Sequence, residues 1–127
     1  MKRLTREWIE KAEADYRVAR REAAVTEEPS YSVVCFLAQQ TAEKYMKALL
    51  TELGVAFPKT HDLGALLKLV PSGTTALAEL RGPLEFLGMH AVESRYPGID
   101  VGESGALEAL QTARSVRHEV SKYFEEV

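Results

Sequence analysis

The chain has one cysteine, Cys35, among its 127 residues. An intramolecular disulfide is therefore excluded, and a thiolate metal cluster would lack ligands. Cys35 lies in the apolar run Val33-Val34-Cys35-Phe36-Leu37 and reads as a buried small hydrophobe. Basic residues are not in excess: 16 lysines and arginines face 19 aspartates and glutamates, for a formal net charge of -3. That removes the overall positive field typical of nucleic-acid-binding domains, although a few well-placed cations suffice for phosphate contacts. No apolar run approaches the length of a bilayer span. Lys2, Arg3 and Arg6 precede Trp8 and Ile9 with no apolar stretch behind them. Neither a signal peptide nor a membrane segment is expected, and the expected setting is cytoplasmic.

Several chemistries lack their motifs. There is no glycine-rich phosphate loop ending in Lys-Ser or Lys-Thr and no dinucleotide fingerprint. There is no His-Glu-x-x-His pair and no Glu-x-x-His pair. The three histidines, His61, His90 and His118, fall on three different predicted helices. No metal and no cofactor is expected. No alternating run long enough for a strand occurs.

Helical periodicity is what the chain has in plenty. Trp8, Ile9, Ala12, Tyr16, Ala19 and Ala23 predict a helix from Thr5, its cap, to about Ala24. Ser30 caps a second helix running to Leu53, with Gly54 at its end. Its apolar residues go nearly all round, which suits the middle of a bundle or a face that meets a partner. Gln40, Glu43, Lys44 and Lys47 form a polar flank on it. Thr60 reads as the cap of a short third helix, His61 to Val70. A fourth helix runs from Thr74 or Thr75 to Glu93, kinked or broken at Gly82-Pro83. The bend Ser94-Arg95-Tyr96-Pro97-Gly98 and a loop precede a last helix, Glu103 to Glu126. Long helices with short links predict an all-α, up-and-down antiparallel bundle of about five helices, in one domain over 1–127.

Three places carry polar side chains suited to chemistry. On the second helix, Lys44 and Lys47 offer cations and Gln40 an amide for a phosphate; equally, Glu43 can pair with Lys47 one turn on. In the bend, Arg95 presents fixed donors and Tyr96 a ring and hydroxyl; equally, Arg95 can tie the bend to a helix end or to Glu93. At the third helix, His61 offers an imidazole that can act as acid or base, or simply pack at the helix start.

Read together, these segments resemble the HEPN family, the higher eukaryotes and prokaryotes nucleotide-binding domain, in its small stand-alone prokaryotic form. The likeness rests on Ala12-Glu13-Ala14-Asp15-Tyr16 and on Cys35-Phe36-Leu37-Ala38-Gln39-Gln40-Thr41-Ala42-Glu43-Lys44-Tyr45-Met46-Lys47-Ala48-Leu49. It continues through Pro58-Lys59-Thr60-His61-Asp62-Leu63 and Glu93-Ser94-Arg95-Tyr96-Pro97, in that order, across nearly the whole chain. The resemblance implies a homodimer, commonly paired with a minimal nucleotidyltransferase as a two-component system of toxin–antitoxin type. Some members of the family are metal-independent ribonucleases with a histidine four to six residues after an arginine. This chain departs from that pattern. Arg95 stands near the arginine position, but no histidine follows it at that spacing; three residues separate Arg114 from His118, and eight separate Arg81 from His90. The leading expectation is a dimer that binds a nucleotide or RNA phosphate through Arg95, Tyr96, Lys44, Lys47 and Gln40, or docks on a nucleotidyltransferase, without strong catalysis. Tyr96 is then a candidate acceptor of a transferred nucleotide. The alternative is a ribonuclease using Arg95, Tyr96 and His61; a third reading is a purely structural interaction protein.

Overall fold

The computed structural model describes residues 1–125. Among the described residues there are five α-helices: α1 (Arg3–Ala23), α2 (Tyr31–Leu53), α3 (Leu63–Leu69), α4 (Arg81–Glu93) and α5 (Gly102–Glu125). A 3-10 turn, Leu77–Leu80, leads directly into α4. Among the described residues there is no strand, and no helix is long and apolar enough to cross a membrane.

Helix α2 is the axle of the bundle and touches α1, α3, α4 and α5. Its all-round apolar surface follows from that position: Val34, Cys35, Ala38, Ala42, Tyr45, Met46, Leu49 and Leu50 are all buried, in different directions. Helix α1 lays Ala12, Tyr16 and Ala19 against it, and the two alanines allow close approach. Lys44 on α2 pairs with Asp15 on α1, and Glu52 with Thr5, so the two helices run antiparallel. The bonds of Tyr31 to Glu103 and of Glu13 to both Tyr45 and Arg117 set α5 parallel to α2 and antiparallel to α1. Gly54 ends α2 at φ 72°, a left-handed position that favours glycine, and the Val55 amide turns back to the Leu50 carbonyl at 2.9 Å. Burial pushes the Cys35 thiol up to about 11, so it is an inert core group at neutral pH.

Three element starts differ from the sequence expectation, each for a visible reason. Helix α1 begins at Arg3, and Thr5 lies inside it, where its hydroxyl donates to Glu52 at 2.9 Å. That tertiary bond takes the place of a cap. Helix α3 begins at Leu63, because Asp62 rather than Thr60 caps it: Asp62 Oδ1 accepts from the Ala65 amide at 3.2 Å. Thr60 Oγ1 accepts from the Asp62 amide at 3.0 Å, which leaves His61 outside the helix. The break before α4 falls between Leu80 and Arg81, just ahead of Gly82-Pro83. Pro83 thus sits in the first turn, where a missing amide hydrogen leaves no helical bond unmade. The expected end of the last helix, Glu126, lies outside the described residues.

Candidate functional site

Gln39, Glu43 and Lys47 follow one another at four-residue intervals along α2 and form a buried polar row. Glu43 is only 2% exposed and Lys47 6%. Charges this deep require partners. Lys47 Nζ donates to Glu43 Oε2 at 3.0 Å and lies over the rings of Trp8 (5.4 Å) and Phe57 (6.0 Å). The other carboxylate oxygen, Oε1, meets His61 Nδ1 at 2.9 Å. Gln39 donates from Nε2 to the His61 carbonyl at 2.9 Å and to Glu43 Oε1 at 3.5 Å. His61 is therefore clamped at its backbone and at one ring nitrogen, while its imidazole is 81% exposed. A carboxylate acceptor on Nδ1 places the proton of the neutral ring there and leaves Nε2 as the free base.

Gln39, at the head of that row, and the His61 that the row holds line a cleft of about 370 Å³ between α2 and α4. Phe36, Gln39, Gln40 and His61 line one side, and Gly88, Ala91, Val92 and Arg95 the other. The volume is at the small end of the range for small-molecule sites, roughly 300–1,000 Å³. Arg95 lies just beyond the C-terminus of α4, with its guanidinium 4.7 Å from the centre of the Phe36 ring. Among the described residues it has no ion pair, so its donors remain available at the mouth of the cleft. Gly88 keeps the α4 wall low; a Cβ there would stand 3.8 Å from Gln39 Oε1.

The residues singled out in the sequence divide into two groups. Gln40, His61 and Arg95 meet in this cleft. Lys44 is turned to α1, with Nζ 2.6 Å from Asp15 Oδ2, and Lys47 is enclosed by Glu43 and the two aromatic rings. Tyr96 is beside Arg95 in the chain and 60% exposed. Gln39 was missed by sequence reasoning, although its spacing from Glu43 and Lys47 marks one helical row. A second network was missed as well. Glu13 Oε1 accepts from the buried Tyr45 hydroxyl and from Arg117 Nε at 2.8 Å, tying α1, α2 and α5 together. Burial works to raise the Glu13 pKa, but the bonds from Tyr45 and Arg117 outweigh it and hold the carboxyl below its ordinary value. Among the described residues, no group of His, Cys, Asp and Glu is arranged to hold a metal ion.

A family model described as HEPN domain matches residues 5–123. The chain belongs to the HEPN domain family. Two solved structures share its fold. ST0689, described as an archaeal HEPN homologue, is 30% identical, with a TM-score of 0.72 over 96% of this chain and 98% of that one. TT1696 from Thermus thermophilus is 24% identical, with a TM-score of 0.78 over 94% of this chain and 97% of that one. No curated protein matches the sequence. In this HEPN protein, the residues that carried the resemblance now have physical roles. Glu13, Asp15 and Tyr16 serve the α1 contacts with α2 and α5, and Gln39, Glu43 and Lys47 build the row that holds His61.

Proposed function

We propose that this HEPN protein is a dimeric binding protein that holds a nucleotide or an RNA phosphate in the α2–α4 cleft. In this reading it works beside a minimal nucleotidyltransferase in a two-component pair of toxin–antitoxin type, without strong catalysis of its own. The observation that carries the binding role is the meeting of Arg95, free of ion pairs among the described residues, with Gln40 and His61 in one small cleft. A guanidinium with free donors suits a phosphate, and the amide and imidazole suit its polar neighbours. Val33, Met89 and Val92, all exposed, give the region an apolar rim that a second copy would cover. Tyr96, exposed beside Arg95, is the proposed acceptor of a transferred nucleotide. The test is binding of a fluorescent ATP analogue. Arg95→Ala is expected to weaken binding by roughly tenfold to a hundredfold, the worth of one charge-assisted contact. Lys44→Ala, whose ammonium is engaged by Asp15, is expected to leave it unchanged. Equal affinity in wild type and Arg95→Ala would remove the cleft from consideration.

One observation favours a second reading, a metal-independent ribonuclease. His61 is held through Nδ1 by a buried carboxylate and shares the cleft with Arg95, the arrangement of a positioned base beside a phosphate-binding cation. RNA incubated with the protein in EDTA is then cleaved by the wild type and not by folded His61→Ala or Arg95→Ala. Cleavage that survives in both variants would come from a contaminant or from another site.

A further inference from the structure

We infer that the face formed by α1 and α5 around Tyr16 is a second anion-binding surface, built for the phosphate backbone of a single-stranded nucleic acid. It shares no residue with the α2–α4 cleft. Tyr16 is itself buried, and three guanidinium groups converge on it. Arg114 Nε donates to its hydroxyl at 3.0 Å, Arg117 lies 4.9 Å from the ring centre, and Arg20 lies 5.6 Å from it. A fourth, Arg17, stands one helical turn after Glu13 on α1. The carboxylates near this group are Glu13 and Asp15 on α1, and Glu79 and Glu119, which line a pocket with Arg114. Asp15 is taken by Lys44, and a single Glu13 oxygen serves both Arg117 and Tyr45. Among the described residues, Arg17, Arg20 and Arg114 make no ion pair.

Three of these four guanidiniums make no ion pair among the described residues, and contact with a ring offsets their mutual repulsion only in part. An external anion relieves the repulsion. The concentration is local, because the whole chain carries a net charge of -3. The arginines stand in two rows, one on α1 and one on α5, at the usual helix separation of about 8–10 Å. A flexible strand with a charge on every nucleotide reaches both rows, whereas a mononucleotide reaches one. The guanidinium fork matches phosphate oxygens in pairs, and packing against Tyr16 has already restricted two of the side chains.

The experiment is binding of a labelled single-stranded RNA, followed by anisotropy over a range of salt. Arg17→Gln/Arg20→Gln is the main variant; both side chains are exposed, and the bonds of Arg114 and Arg117 to the core remain. Its affinity is expected to fall on the order of tenfold at low salt, and the slope of log K against log salt by roughly 1.4, two contacts' worth. Its affinity for the ATP analogue stays at the wild-type value, which separates this face from the cleft. Arg95→Ala loses at most one phosphate contact with the strand. The inference is overturned if the wild type does not bind the RNA, or if the double variant keeps the wild-type slope. It is overturned equally if polyglutamate at matched charge binds the face more tightly than the RNA does, which would assign the face to an acidic protein.

Discussion

Lys47→Met is expected to destabilise the protein by about 3–5 kcal/mol, because it leaves the Glu43 carboxylate buried without its counter-charge. That is a large part of the total stability of a domain of this size, about 5–15 kcal/mol. The buried position is what makes the effect large: the pair sits at 3.0 Å with both side chains nearly sealed from water. An exposed pair at the same helical spacing would contribute about 0.3–0.5 kcal/mol. Glu43→Gln/Lys47→Met removes both charges and keeps an acceptor for Gln39 and His61, so it recovers most of the loss. Urea unfolding of the three proteins decides the matter. A single variant within about 0.5 kcal/mol of wild type would mean that Glu43 finds solvent, and that the row is not the rigid support of His61 derived above.

The second large effect is expected at Glu13. Glu13→Ala takes the acceptor from the buried Tyr45 hydroxyl and the partner from Arg117, at a cost of about 1–3 kcal/mol. Burial pushes the Tyr45 phenol far above its ordinary range, and its bond to Glu13 pushes it further, so it remains a donor at any physiological pH. The same network gives stability a defined dependence on pH. The Glu13 carboxyl is held below its ordinary value of 4.5, so the unfolded chain takes up a proton on this group before the folded one does. The stabilisation is complete above 4.5 and is lost as pH falls through the lower folded value. Glu13→Gln keeps an acceptor but does not titrate. Its unfolding midpoint is expected to drop less steeply between neutral and acid pH than that of the wild type. Parallel acid profiles for the two proteins would show that other carboxylates carry the acid sensitivity.

Much of this molecule was legible from local pattern. Apolar spacing of three and four located every long helix, since a helix repeats its faces every 3.6 residues whatever it packs against. The all-round apolar character of α2 suited either the middle of the bundle or a face that meets a partner, and it does touch all the other α-helices. Arg95, Gln40 and His61 were legible as residue types, and one cleft holds all three. The assembly of that cleft was not legible. His61 joins it because Asp62 takes over the cap of α3 and leaves the histidine in the preceding connection, within reach of Glu43. A one-dimensional pattern cannot choose between two neighbouring caps when the choice rests on a partner 18 residues away. The two lysines show the same limit. Along the helix, Lys44 and Lys47 belong to one polar flank, yet Asp15 claims the first, and Glu43 with Trp8 and Phe57 encloses the second. The Glu13–Arg117 bond spans 104 residues, so no spacing rule reaches it. Sequence determines which faces are apolar, because burying them drives folding; it leaves to packing which charges meet, because an ion pair is decided by ångström distances between elements remote in the chain.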